Sequence, residues 1–240
     1  MYSLIEKQLS ELSFKGMSLQ WETLRQSKQL HELSLTDGLN LLLQAEADHR
    51  QTNREKRLIR TANFRYQASV AELHFDTNRG LDKGQVMQLA TGEYIGKGQS
   101  VLVTGATGCG KSFVASALGY QACTQGNSTL YFNFKKLMAS LKVARIDGTI
   151  AKLFVKLAKA DLLIIDDFGL QKLDAQQQQD LMEVIEDRHA RKSTIIISQM
   201  PVSDWYEIIN ERTIADAILD RLVHTSHRIE LKGESRRKLS

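Results

Sequence analysis

Over the N-terminal stretch apolar residues recur three and four positions apart, as at Leu39, Leu42, Leu43 and Ala47, and Gly and Pro are nearly absent. That spacing stacks side chains on one face of a 3.6-residue helix, so residues 2 to about 65 are expected to be helical. Thr36 and Asp37, just before Gly38 and the apolar run 39–43, offer an N-cap to one of these helices. From 69 to 98 the periodicity loosens, and Asn78-Arg79-Gly80 and Gly96-Lys97-Gly98 read as turns. Beyond it, short apolar runs at 100–104, 129–133, 162–166, 194–198 and 227–231 alternate with helical patterns. Alternation of this kind predicts an α/β fold, a parallel sheet wrapped by helices. The expected organisation is a small all-α N-terminal domain at 1–66, a junction at 67–98 and an α/β domain at 99–240. Pro201, the only proline, follows a strand candidate, where a lost N–H does little harm.

Composition narrows the class. Hydrophobic residues make up 42% and charged residues 25% of 240, which is ordinary for a globular protein. The first residues already carry charge, and no apolar run approaches the roughly 18 residues that cross a bilayer, so secretion and a membrane partner are not expected. The two cysteines, Cys109 and Cys123, are too few for a disulfide scaffold and lack metal-ligand spacing. A reducing cytoplasm fits. A net charge of +4 permits nucleic acid as a partner.

The sharpest chemistry follows the first strand candidate. Gly105-Ala106-Thr107-Gly108-Cys109-Gly110-Lys111-Ser112 runs from a strand into the helix-compatible stretch that opens with Phe113. Gly105, Gly108 and Gly110 let the backbone curl until successive N–H groups face phosphate oxygens, and the helix start adds partial positive charge. Lys111 is expected to reach the β- and γ-phosphates of ATP or ADP, and the Ser112 hydroxyl to ligate Mg²⁺. Residues 105–113 form the expected nucleotide contact, with Cys109 read as a small filler rather than a redox group.

The third strand candidate ends in Asp166-Asp167-Phe168, the second element of a P-loop NTPase. Asp166 is expected to hold Mg²⁺ through water, and Asp167 to orient the attacking water. On its own a strand ending in two carboxylates is more often a solvated strand end; the loop some 60 residues earlier favours the functional reading. Gln199, at the end of the fourth candidate, would report on the γ-phosphate. Without its neighbours it would read as a turn residue.

These residues together make the chain resemble AAA+ ATPases and, among them, the IstB-like ATP-binding proteins of insertion sequences, relatives of the DnaC helicase loaders. The resemblance covers most of the chain. It includes 39–46 with the basic stretch after it, 75–81, the loop at Gly105, Leu163-Ile164-Ile165-Asp166-Asp167-Phe168-Gly169, Ser198-Gln199-Met200-Pro201, Asp220-Arg221-Leu222 and 233–236. It implies a five-stranded parallel sheet and a DNA-stimulated ATPase. The implied protein assembles with ATP as a ring or spiral homo-oligomer on duplex DNA, largely without sequence preference, deforms it, and recruits or stimulates a cognate transposase. Arg221 resembles the family's arginine finger, so it would reach a γ-phosphate held by a neighbouring copy.

Three departures accompany the likeness. Many AAA+ proteins have Glu where Asp167 stands, which predicts slow hydrolysis. Gln199 replaces a more usual Asn. Only residues 233–240 follow the last strand candidate, so a lid arginine is missing or is supplied by Arg236 or Arg237. In this family a helical element beside the sheet faces DNA; the candidate is 134–145, with Lys135, Lys136, Lys142 and Arg145 as phosphate contacts. Arg50, Arg54, Lys56, Arg57, Arg60 and Arg65 form a second basic stretch. A plain solvated helix explains either set as well. Two rival functions share the motifs: a DnaC-like loader of a replicative helicase, and an ATP-switched interaction module with negligible hydrolysis.

Overall fold

The computed structural model describes residues 2–27 and 33–233, which cluster into two compact units, 1–57 and 58–240. The 234–240 stretch, with Arg236 and Arg237, lies outside the described residues.

The first unit contains α1 (Tyr2–Glu11), α2 (Lys15–Gln26) and most of α3 (Leu35–Ala62). The cap of α3 falls earlier than expected: the Asp37 N–H donates to the Ser34 hydroxyl at 3.1 Å. Thr36 and Asp37 are therefore inside the first turn, because Ser34 takes the capping position. The periodicity finds the helix but not its buried face, since Leu39 is 53% exposed. The covered seam runs instead through Leu42, Ala45, Glu46 and His49, also at helical spacing.

A close helix crossing explains that choice. A Cβ on Gly16 would stand 2.3 Å from the Ala45 carbonyl oxygen, so only glycine lets α2 approach. At the crossing the buried Glu46 carboxylate accepts the Gly16 N–H at 2.7 Å and the Met17 N–H at 3.2 Å. It also accepts Arg50 Nε at 2.7 Å. Burial pushes the Glu46 carboxyl up, but these donors outweigh it and hold it below its ordinary value.

The second unit is built on a five-stranded sheet in the order β2-β3-β4-β1-β5. Its strands are β1 (Val101–Gly105), β2 (Thr129–Asn133), β3 (Leu162–Phe168), β4 (Ser193–Ser198) and β5 (His227–Leu231). Every pairing is parallel, as the strand and helix alternation predicts. Side chains alternate across the sheet. Val101, Val103, Ile164, Ile195 and Ile197 enter one core, while Leu102, Leu163, Ile165 and Ile196 enter the other.

The first core is closed by α6 (Lys111–Thr124), with α4 (Lys83–Ala90) and α5 (Glu93–Gly96) beside it. Residues 67–98 belong to that core through Val70, Leu73, Leu81, Val86, Leu89 and Tyr94. The opposite core is closed by α7 (Phe134–Ile146), α8 (Ile150–Lys159), α9 (Ala175–Arg188), α10 (Trp205–Ile209) and α11 (Arg212–Val223). Arg188 is buried inside it. Its guanidinium donates to the carbonyls of Leu157 and Ala160 at 2.5 and 2.8 Å, to Ser193 O, and to the Thr194 hydroxyl at 3.0 Å. It thereby caps the end of α8 and ties it to the start of β4. Burial pulls this guanidinium down to about 10, with the charge of Asp161 opposing the fall.

Two stability measurements check this packing. Arg188→Ala strands several buried acceptors and should cost about 3 kcal/mol in urea unfolding. Glu46→Gln should cost about 1 kcal/mol in the first unit at neutral pH. Because the folded-state value of Glu46 is lowered, its contribution is present above the ordinary glutamate value of about 4.3 and disappears as pH falls through the lower folded value. The two proteins' stabilities should therefore converge in acid.

Candidate nucleotide site

The site forms where β1, β3 and β4 end on the same edge of the sheet, the crevice where open parallel sheets place ligands. β1 turns at Gly105, whose φ is 142°. A Cβ there would stand 2.1 Å from the Leu231 carbonyl oxygen on β5, so the turn needs glycine twice over. The loop then enters α6, whose first-turn N–H groups at Lys111 and Ser112 have no acceptor within the helix. Lys111 folds back over the loop and donates to the carbonyls of Gly105 and Ala106 at 2.7 and 2.8 Å. Cys109 is buried against this turn, which suits a packing role.

Opposite the loop stand two carboxylates. In a regular strand Asp166 and Asp167 would point to opposite faces. Here β3 has a register irregularity against β4 between Ile165 and Phe168, and Asp167 is in the left-handed region at φ 59°. Asp accepts that backbone better than most residues. The bulge turns both carboxylates to one side, where the Arg65 guanidinium lies 3.1 Å from Asp166 Oδ2 and 3.1 Å from Asp167 Oδ2. The Asp166 side chain is only 1% exposed and that of Asp167 24%. Asn133 Nδ2 donates to Asp167 Oδ2 at 2.8 Å, and the Asp167 N–H donates to Asp166 Oδ1 at 2.8 Å.

Tyr131, on β2, donates its hydroxyl to Asp166 and also meets the Ser112 hydroxyl. Burial raises the Tyr131 phenol well above its ordinary value, and its bond to the Asp166 carboxylate raises it further. Burial pulls the Arg65 guanidinium down, but its hydrogen bond to Asp166 and the charges beside it more than offset this, so it stays a cation. The Ser112 hydroxyl and an Asp166 oxygen thus converge on one point. Two hard oxygen donors fit a magnesium ion.

Gln199 closes the third side: Thr107 donates its hydroxyl to Gln199 Oε1 at 2.6 Å. Thr107, Gly108, Lys111, Ser112, Asp167 and Gln199 line one cavity of about 790 Å³. Its other wall is more apolar, with Tyr66, Leu73, Leu81, Phe113 and Leu231, and carries Arg79. A charged cradle at one end and an apolar slot at the other match the two ends of a nucleotide. The sequence reading missed Tyr131 and Asn133, whose only signal is their place on the strand next to β3. It left Arg65 among the surface cations, and nothing in the pattern showed otherwise.

Arg221 lies elsewhere. In the last turn of α11 its Nε is 2.5 Å from Glu186 on α9, and it donates to the Ala217 carbonyl at 2.9 Å. It is not part of the cavity wall. Of the expected phosphate contacts on α7, Lys135, Lys136 and Lys142 are exposed, whereas Arg145 is bound to the buried Asp180. They do not share one narrow face: Lys135 and Lys142 align, with Lys136 and Arg145 roughly 90° to either side. The next helix adds Lys152, Lys156 and Lys159, exposed and aligned at helical spacing. Neither α7 nor α8 contains an acidic residue. In the other basic stretch Arg50 is held by Glu46 and lies over the Phe14 ring.

Comparison with known proteins then decides the family. The model of the IstB-like ATP binding protein family matches residues 7–240. The chain belongs to this family. It is 42% identical over 230 residues to the protein named insertion sequence ATP-binding protein y4pL of Sinorhizobium fredii, covering 96% of this chain and 94% of that one. It is 40% identical over 198 residues to the ATP-binding protein of insertion sequence IS1162 from Pseudomonas fluorescens, covering 82% and 85%. Among solved structures it resembles the DnaC helicase loader, with a TM-score of 0.59 at 20% identity over 70% of this chain and 98% of that one. It also resembles AMPPCP-bound DnaA from Aquifex aeolicus, with a TM-score of 0.60 at 16% identity over 74% and 54%. The fold is accordingly that of AAA+ P-loop proteins, as the sequence resemblance implies. Among the described residues no helix is long and apolar enough to cross a membrane.

Titration with a fluorescent ATP analogue tests the cradle. Lys111→Ala should weaken binding at least tenfold, and Cys109→Ser should leave it within about twofold.

Proposed function

We propose that this IstB-like protein is an ATPase that assembles on duplex DNA with ATP bound and assists a transposase. The observation that carries the reading is that loop residues 107–112 and Asp167 line one cavity, with the buried Asp166 joined to both sides through Arg65 and Tyr131. Loop N–H groups and Lys111 hold the phosphates. Ser112 and Asp166 hold Mg²⁺, whose charge offsets that of the β- and γ-phosphate oxygens. Asp167, steadied by Asn133, orients water for attack on the γ-phosphate. Gln199, joined to Thr107 on the loop, contacts the γ-phosphate and registers its loss. Turnover is slow, since Asp167 has a shorter reach than glutamate.

Arg221 completes the site in trans. It does not line the cavity of its own chain, and a guanidinium supplied by a neighbour stabilises charge spreading over the γ-phosphate. To act there it exchanges Glu186 for phosphate, so assembly favours the triphosphate over the diphosphate. Phosphate contacts of DNA fall on α7 and α8, where Lys135, Lys136, Lys142, Lys152, Lys156 and Lys159 meet no acidic residue of their own helices. Each contact is weak and carries no sequence information, so many aligned copies supply the affinity. The insertion-sequence names of the relatives support a transposase as the partner.

Sizing the protein on duplex DNA with ATP, with ADP and without nucleotide tests this directly. ATP should give the large species, and a protein that stays monomeric on DNA under all three conditions contradicts the reading. Lys111→Ala should lose ATP-dependent DNA binding. Arg221→Ala should keep ATP affinity while losing ATP-dependent assembly. Replacing one α7 or α8 lysine with Ala should lower the salt slope of log K by about 1.

A further inference from the structure

Arg65 stands three residues beyond the end of α3 and is the last cation of a basic stretch. Its side chain is 39% exposed, yet its guanidinium is committed to both carboxylates of the site. The oxygen it contacts on Asp166 is the one that also accepts the Tyr131 hydroxyl. A metal ion held by Asp166 needs lone pairs on that carboxylate. A second cation in contact with it opposes metal entry by like-charge repulsion and by occupying an acceptor.

The surroundings give Arg65 somewhere to go. It borders the same cavity as the loop, so a triphosphate there offers its guanidinium other oxygens. Its guanidinium also lies over the Tyr66 ring, 5.7 Å from the centroid. The residues on either side are partly buried and pack against neighbours of the site. Phe64 meets the Tyr131 ring edge-on at 6.3 Å, and Tyr66 packs on Phe113, next to Ser112, at 6.1 Å. Asn63, at φ 56°, makes the left-handed turn by which the chain leaves α3.

We propose that Arg65 is an internal counter-cation for the Asp166–Asp167 pair that Mg²⁺ must displace, so that metal entry frees the segment following α3. This rests on the reading that the 105–112 loop and Asp166 hold Mg²⁺ with ATP. It makes Arg65 a positioning residue. It keeps two adjacent carboxylates neutralised until the metal arrives with its nucleotide, and it carries that arrival to the turn at Asn63.

The test measures equilibrium Mn²⁺ binding by electron paramagnetic resonance on the full chain without nucleotide. Arg65→Gln should bind the metal at least tenfold more tightly than wild type, and adding Asp166→Asn to it should abolish the gain. Arg65→Lys keeps a charge and should stay closer to wild type than to Arg65→Gln. Metal binding by Arg65→Gln equal to or weaker than wild type overturns the proposal, as does an Arg65→Lys protein that matches Arg65→Gln. A second measurement needs no variant at Arg65. In wild type, the ¹⁵N resonance of its side-chain Nε should move when Mg²⁺ is added to protein saturated with AMPPCP, and an unmoved resonance also overturns it. Failure of AMPPCP to bind at all would defeat the nucleotide reading separately, leaving the Mn²⁺ comparison to judge Arg65.

Discussion

Two neighbouring carboxylates on one side of a strand end is an arrangement that a regular β-strand forbids, and the site depends on it. The irregularity in β3 and the left-handed backbone of Asp167 bring Asp166 and Asp167 to the same side. Everything nearby answers the resulting concentration of negative charge. Arg65 bridges the pair, Tyr131 and Asn133 each donate to one member, and the loop carrying Lys111 and Ser112 lines the same cavity as Asp167. Strain of this kind persists where the surrounding contacts over-determine it, and such positions cluster at functional sites.

Much of this was legible in the sequence because it depends on local pattern. Short apolar runs, continuous where the sheet is covered on both faces, placed all five strands within one or two residues, and the glycines around Lys111 marked a turn between strand and helix. What was not legible depends on distant contacts. The pairing of Arg65 with Asp166 spans 101 residues, and no spacing rule reaches that far. The buried face of α3 escaped for a different reason. Its seam is made by a close approach at Gly16 and a carboxylate that meets helix N–H groups, so apolar periodicity pointed to the wrong side. The pairing of Arg145, expected as a phosphate contact or a solvated helix cation, with the buried Asp180 35 residues on was equally out of reach of local pattern.

The two ends of the proposed mechanism share one physical feature. Arg65 and Arg221 are each held by carboxylates of their own chain, Asp166 with Asp167 in one case and Glu186 in the other. Each is proposed to exchange that partner when Mg²⁺ and the triphosphate are in place. On this proposal nucleotide binding competes with internal ion pairs, so that ATP is distinguished from ADP by charge rather than by shape. In the proposed assembly the lysines of α7 and α8, helices that contain no acidic residue, are the surface whose repetition would turn weak phosphate contacts into firm binding.

The central claim is that the loop and the carboxylate pair hold one magnesium nucleotide between them, and a structure of the protein with Mg²⁺ and AMPPCP tests it most directly. The account predicts phosphate oxygens against the N–H groups of 108–112, Lys111 Nζ moved from the Gly105 and Ala106 carbonyls to the phosphates, and the metal between Ser112 and Asp166. A nucleotide bound elsewhere, or Lys111 still on those two carbonyls with nucleotide in the cavity, would contradict it.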